Sequence, residues 1–434
     1  MQLIRMGRTL RNGAINLSNI IFFSIPLFGH VNYGLKIAKQ LAVEGHQVYY
    51  FSGVSFKDFI RKKGVQFCHY SDGIEALFNL QDSTYNKKKM SEGLDPDIDY
   101  LEELWKLSNH LFDITRIISK IDLEYIKTLN PDLILYDNIA IWGKLIAESL
   151  GIRCISSGTP YCYSQEMITN YPEEFARCIL KKPNINGNSI KSLLRIYDKM
   201  LHQHYPEFKD FHFTMNYSGS GDLNFIYTSR SFQLHPELID ESINAFVGVI
   251  IDDDDQKADI TSYLSQCKKT IYVALGTIYN NKNLYKACIN ALRGYEANII
   301  MSIGDSNVLE DFIDVPSEWH IGNHLPQIKL LEHVDVFVTH GGVNSVREAA
   351  HFGVPVVVIP QTGDHFLVAE DVKRTQIGRV IDGEFDPTQL LSAIEDCLYN
   401  PSIQRACASI SKEMQQCGGL DDVVSKIQAL IHNN

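Results

Sequence analysis

Between positions 340 and 348 the chain reads His340-Gly341-Gly342-Val343-Asn344-Ser345-Val346-Arg347-Glu348, and from 360 to 365 it reads Pro360-Gln361-Thr362-Gly363-Asp364-His365. Asp335 to Thr339 reads as a buried strand, Gly341-Gly342 as a tight turn, and Asn344 or Ser345 as the cap of a helix that runs to His351 and is stopped by Gly353. A glycine-rich turn between strand and helix aims backbone N–H groups and the positive end of the helix dipole at an anion, so a diphosphate can be held there without a metal. Glu348, one helical turn on, is placed to reach a ribose hydroxyl. Asp364 and His365, arriving after the next strand at Pro355 to Ile359, are placed to hydrogen-bond sugar hydroxyls. A glycine pair at a helix start alone says little, since most such turns are loops or caps. The combined pattern reads as a nucleotide-sugar site.

The elements that must position these residues alternate between strand and helix. Asn19 to Ile25 is an apolar run bounded by Pro26 and Gly29, as a buried parallel strand would be. Apolar residues at helical spacing from Tyr33 to Glu44, a stop at Gly45, and a second strand at Gln47 to Ser52 complete a β-α-β unit. Val65 to Tyr70 and Asp132 to Tyr136 read as strands, Ala140 to Leu150 as a helix, and Ile152 to Ser156 as a further strand. The alternation breaks between Pro160 and Gly221. It resumes with strands at Thr270 to Leu275, Asn298 to Ile303, Asp335 to Thr339, Pro355 to Ile359 and Gly378 to Ile381. This predicts two α/β halves, the first of them Rossmann-like. His30 follows the first strand, where an imidazole can point into a cleft between the halves, and Asp137 ends a strand of the same half.

Composition narrows the function classes. With 434 residues, 45% hydrophobic and 21% charged, the chain is ordinary globular material for two domains. A formal charge of −12 leaves no basic stripe for nucleic acid. The nine cysteines form no Cys-x-x-Cys pair and are odd in number, which suggests reduced thiols rather than a disulfide framework or zinc ribbon. The run Asp252 to Asp255 is expected to be a solvated interdomain loop rather than a metal site. His202, His204 and His212 lack zinc-site spacing and are expected on the surface or in a pocket. The run Ile20 to Phe28 contains Ser24 and Pro26 and is shorter than the ~20 residues of a membrane span. The arginine-bearing segment before it reads as a disordered leader, or as a product of an upstream start with Met6 as the real beginning.

These residues, together with Phe28-Gly29-His30-Val31-Asn32, Pro131-Asp132-Leu133-Ile134-Leu135-Tyr136-Asp137, Ala274-Leu275-Gly276-Thr277 and Leu325-Pro326-Gln327, resemble family 1 glycosyltransferases, closest to the bacterial macrolide-glycosyltransferase branch. The resemblance spans most of the chain in the family's order. It implies a GT-B fold, two facing Rossmann-like domains with an interdomain cleft. The expected division is a leader at 1–18, an acceptor-binding domain at 19–240, a linker region at 241–262, a nucleotide-sugar domain at 263–415, and a helix at 416–434 packing back toward the first domain.

The implied activity is inverting, metal-independent transfer of a hexose from a UDP-sugar to a hydroxyl of a small, largely apolar acceptor, in the cytoplasm, with no cofactor and no metal. By resemblance His30 and Asp137 form the catalytic dyad: a neutral imidazole takes the acceptor's proton, and a carboxylate fixes its tautomer. The alternative is that Asp137 merely caps the helix at Ala140. The donor site implied comprises Gly276, Thr277, His324, Gln327, His340, Gly342, Asn344, Ser345, Glu348, Asp364 and His365. In it His340 contacts a phosphate, Asn344 and Ser345 supply donors, Gly276-Thr277 lines the opposite side, and Gln327 helps hold the nucleoside.

Three positions depart from the family. His324 stands where many relatives place a tryptophan on the base, Tyr33 replaces a proline, and His365 replaces a glutamine, which leaves glucose and galactose both open. The acceptor depends on irregular segments between Phe78 and Ser119 and between Pro160 and Gly221. The alternatives from other classes are an inactive family member acting as a binding or activator protein, and a sugar-nucleotide epimerase of the same fold.

Overall fold

The computed structural model describes residues 17–71, 112–118, 122–159, 161–178, 186–206, 212, 219–264, 268–276, 281–304, 307, 315–361, 365–383 and 385–432. Two parallel sheets organise them. The first has the strands β1 (Asn19–Phe23), β2 (Gln47–Ser52), β3 (Gln66–His69), β4 (Leu133–Asp137), β5 (Arg153–Thr159), β6 (Leu223–Ile226) and β7 (Asn244–Phe246), in the order β3-β2-β1-β4-β5-β6-β7. The second has β8 (Thr270–Ala274), β9 (Asn298–Ser302), β10 (His320–Gly322), β11 (Val336–Thr339), β12 (Val356–Val358) and β13 (Gly378–Val380), in the order β10-β9-β8-β11-β12-β13. Helices cover both faces of such sheets, so central strands bury every residue. All of β4, Leu-Ile-Leu-Tyr-Asp, and all of β11, Val-Phe-Val-Thr, are buried.

The helices that position the site are α1 (Phe28–Val43), α2 (Trp142–Leu150), α3 (Asp253–Gln256), α4 (Gln327–Leu331), α5 (Val343–Phe352), α6 (His365–Thr375), α7 (Pro401–Gln416) and α8 (Gly419–His432). In each sheet the strand order reverses between two neighbours, β1 and β4 in the first, β8 and β11 in the second. Loops leave such a pair in opposite directions and open a crevice at the strands' carboxyl ends. His30 and Asp137 lie at the first of these points, Gly276 and His340 at the second.

Several boundaries differ from the sequence expectation. Helix α1 begins at Phe28 rather than Tyr33, so His30 sits in a first helical turn; its N-cap, Leu27, is extended and makes no side-chain cap bond, which left no signal to read. The stretch expected to be linker at 241–262 contains β7, the edge strand beside β6, too short at three residues to show a period. The Asp252 run is not simply solvated. Asp252 caps α3 in a capping box with Asp255, and the carboxylates pair with lysines of the first half: Asp255 with Lys36 at 2.7 Å, Asp252 with Lys39 at 3.0 Å, and Asp254 with Lys39 at 2.8 Å and Lys63 at 2.6 Å. The two lysines bring the Asp254 carboxyl down to about 2. Helix α7 contributes Ile403, Cys407, Ile410 and Met414 to the second core, whereas α8 places Val423, Val424 and Ile427 in the first, beside α1.

A second clasp joins the halves. Arg347 on α5 and Asp371 on α6 are each 1% exposed and pair at 3.3 Å. The Tyr161 hydroxyl, after β5, donates to the same Asp371 carboxylate, and the Arg347 guanidinium lies 4.0 Å from the centroid of the Phe232 ring. Arg374 donates to the carbonyl oxygens of Ser231 and Phe232. Removing one partner of a buried pair leaves the other charge uncompensated, so Asp371→Ala should destabilise the protein by about 3–5 kcal/mol in urea unfolding. A loss under about 1 kcal/mol would mean that Arg347 finds other partners.

Candidate active site

On the first half's side, His30 Nδ1 lies 2.6 Å from Asp137 Oδ2. The other carboxylate oxygen, Oδ1, accepts the Ile139 N–H at 3.0 Å. Asp137 is buried, and His30 is partly open, with 26% of its side chain exposed. Asp137 does not cap the following helix: α2 starts at Trp142, and its N-cap, Ile141, has no side-chain bond. The carboxylate is therefore spent on orienting the imidazole and on one loop amide. With Nδ1 facing a carboxylate, the ring's proton belongs on Nδ1 and Nε2 is the basic nitrogen.

On the second half's side, the cap of α5 is Gly342, not Asn344 or Ser345, which lie inside the first turn. Gly276 has φ +102°, and a Cβ on it or on Gly342 would stand 2.9 Å from His340 Nε2. Both glycines are needed for the His340 ring to lie between the two loops. The His365 ring meets His340 edge to face with centroids 4.4 Å apart, and His365 is buried, its Nδ1 accepting the Gln361 N–H at 3.4 Å. His324 is exposed on the loop after β10.

Glu348 is 6% exposed and both its oxygens are engaged. Gln327, the first residue of α4, donates from Nε2 to Glu348 Oε2 at 2.6 Å and to Ser345 Oγ at 3.1 Å, and the Tyr272 hydroxyl donates to Gln327 Oε1 at 3.5 Å. The Tyr33 hydroxyl, from α1, donates to Glu348 Oε1 at 3.5 Å. Burial pushes the Glu348 carboxyl above the usual carboxylate range, opposed first by Lys36 and then by the Gln327 hydrogen bond.

The two helix starts meet directly. Asn344 Nδ2 donates to the Gly29 carbonyl at 3.4 Å, and four residues further along both helices comes the Tyr33–Glu348 contact. The sequence left Tyr33 and Tyr272 out of the site. Tyr33 was legible as His30 plus one turn on the same helix face; Tyr272, on β8, carried no signal. Of the expected residues, Thr277 and Asp364 lie outside the described residues, as do most of Phe78 to Ser119 and part of Pro160 to Gly221. Among the described residues no group of three histidines, cysteines or carboxylates is placed to hold a metal ion. His202 and His204 end the helix Gly187–His204, and His212 Nδ1 lies 3.4 Å from Asp198.

Residues 286–430 match the family described as the erythromycin biosynthesis protein CIII-like C-terminal domain. The chain is 25% identical over 405 residues to "Uncharacterized UDP-glucosyltransferase YojK" of Bacillus subtilis, covering 93% of this chain and 95% of that protein. It is 24% identical over 436 residues to the demethyllactenocin mycarosyltransferase of Streptomyces fradiae, covering 98% and 89%. These matches support a family 1 glycosyltransferase of the macrolide-like branch. The fold of this glycosyltransferase is GT-B: it superposes on the calicheamicin glycosyltransferase CalG4 with a TM-score of 0.77 at 18% identity, over 96% of this chain and 99% of the other. The Streptomyces glycosyltransferase SsfS6, solved with thymidine diphosphate, gives a TM-score of 0.62 at 15% identity, over 95% and 99%. No helix among the described residues of this glycosyltransferase is long and apolar enough to cross a membrane.

The raised Glu348 carboxyl has a measurable consequence. Because the folded value lies above the unfolded one, the unfolded chain ionises first as pH rises, and folding is penalised above the ordinary carboxylate range. Glu348→Gln cannot ionise. Its stability relative to the unaltered protein should therefore rise with pH from about 4.5 upward and then level off, as followed by thermal melting. A difference that falls with pH would contradict the burial-dominated carboxyl.

Proposed function

We propose that this glycosyltransferase is inverting and metal-independent and moves a hexose from a UDP-sugar to a hydroxyl of a small, largely apolar acceptor inside the cell. The observation that carries this reading is the 2.6 Å His30–Asp137 contact, set where α1 meets the start of α5. In the proposed step the acceptor hydroxyl oxygen attacks the anomeric carbon on the face opposite the diphosphate. The new C–O bond forms as the bond to the diphosphate oxygen breaks, and the hydroxyl proton passes to His30 Nε2. Proton transfer to a positioned base contributes about 10²–10⁴ in rate, and Asp137 stabilises the resulting imidazolium.

The diphosphate's charge falls to the start of α5, with His340, Asn344 and Ser345 around it and Gly276 and Thr277 opposite. His324 offers a ring for the base, and Glu348, steadied by Gln327, takes the ribose. A carboxylate aimed at a vicinal diol favours a ribonucleotide over a deoxyribonucleotide, in keeping with relatives named UDP-glucosyltransferases. Asp364 is assigned to sugar hydroxyls. His365, buried against His340, would reach the sugar through that neighbour's placement as much as by direct contact.

Incubation with UDP-glucose, UDP-galactose and mixed phenol, sterol and macrolide acceptors, followed by mass spectrometry, tests the reading; an inactive binding protein would give no product and release no UDP. His30→Ala should lose transfer by about two orders of magnitude or more while still binding UDP, and Asp137→Asn should fall in the same direction. Near-normal turnover in His30→Ala would remove the base from this mechanism. Chelation with EDTA should leave turnover unchanged; loss with rescue by magnesium or manganese would overturn metal independence.

A further inference from the structure

The ribose carboxylate assigned above is already occupied. Glu348 is buried, Gln327 holds Oε2 at 2.6 Å, and the Tyr33 hydroxyl reaches Oε1 at 3.5 Å from the other half of the molecule. A carboxylate has lone pairs for further donors, but one this enclosed has no room for them until a neighbour leaves. Of the two bonds, the one to Gln327 is short, made within one half, and shared with Ser345. The one to Tyr33 is at the outer limit of a hydrogen bond and crosses between the halves.

The surroundings of Tyr33 fit a hydroxyl that is held near the carboxylate without being locked to it. Its ring is fixed edge to face on Tyr227 at 5.1 Å, and Lys36 Nζ lies 5.7 Å from its centroid. Lys36 itself is tied to Asp255 and to the Ile250 carbonyl. Burial, and then the nearby Glu348, push the phenol well above its usual range, so Tyr33 stays a neutral donor at working pH. At 3% exposure it has no solvent to turn to when its acceptor is taken.

We propose that the Tyr33 hydroxyl is a stand-in for the donor's ribose: it occupies Glu348 Oε1 in the empty enzyme and is displaced by a ribose hydroxyl when the nucleotide binds. The exchange makes Tyr33 a determinant of donor affinity contributed by the acceptor-side half. Because Tyr33 lies one turn after His30 on α1, the exchange also links nucleotide occupancy to the helix that carries the base. This inference rests on the assignment of Glu348 to the ribose.

Titration calorimetry with uridine diphosphate and with 2′,3′-dideoxyuridine diphosphate separates the two ideas. Tyr33→Phe removes the hydroxyl and keeps the ring on Tyr227, so it should bind uridine diphosphate about three- to tenfold more tightly, the size of one hydrogen bond no longer broken. Its affinity for the dideoxy probe should stay at the unaltered enzyme's value. Tyr33→Leu supplies the same comparison should the phenylalanine variant fold poorly. Tighter binding is an outcome that general loosening of the fold would not produce. If Glu348→Gln weakens uridine diphosphate binding but Tyr33→Phe leaves it unchanged or weaker, the stand-in is overturned and the ribose assignment survives. If Glu348→Gln binds uridine diphosphate as tightly as the unaltered enzyme, the ribose assignment fails and the stand-in fails with it.

Discussion

Two helix N-termini brought face to face, one from each sheet, set the terms for the rest of this site. Neither α1 nor α5 has a side-chain cap, and neither carries an acidic residue in its first turn. They share this with α2 and α4, whereas Asp252, Asn281, Asp386 and Asn400 cap other helices of the chain. The positive ends of two helix dipoles therefore converge where Asn344 meets Gly29. Such an arrangement is unfavourable alone and favourable around an anion, which is the electrostatic requirement for binding a sugar diphosphate and for stabilising it as it leaves.

Holding the two starts together needs compensation at a distance. The Lys36, Lys39 and Lys63 pairs with Asp252, Asp254 and Asp255 lie on one flank, and the buried Arg347–Asp371 pair with Tyr161 and Phe232 supplies another. Helix α8 adds an apolar hold by placing its buried residues in the first core although it follows the second in sequence. The cleft is thus bounded by charge-paired and apolar contacts, while the polar groups facing it, His30, His340 and Asn344, remain partly accessible. The proposed chemistry would need that division, because a base must be oriented by its surroundings yet reachable by the substrate.

The sequence carried most of the sheet architecture, because strands buried on both faces are continuous apolar runs and their order follows from alternation with helices. It carried the places of Asp137 and His340, which end or follow strands at the points where an α/β sheet exposes its loops, while His30 and Asn344 to Glu348 lie in the helices that follow such strands. It failed where the local signal was absent or misleading. The uncapped start of α1 hid a helical turn around His30, a three-residue β7 looked like linker, and four consecutive aspartates looked like solvated surface although three of them pair with lysines some two hundred residues earlier.

What the sequence determined by itself was therefore the fold class and the chemistry available, since residue type, periodicity and turn residues are local properties. What only the tertiary structure decided was which polar groups satisfy one another. Glu348 reads in sequence as an open carboxylate on a helix and stands in the structure with Gln327 and Tyr33 on its two oxygens. Arg347 stands within the 340–348 motif in sequence and is buried on Asp371 and Phe232 in the structure. The Tyr33–Glu348 contact spans 315 positions, and Gln327–Glu348 and Arg347–Asp371 span 21 and 24, but none leaves a periodic trace, because each depends on where separate elements come to rest against each other.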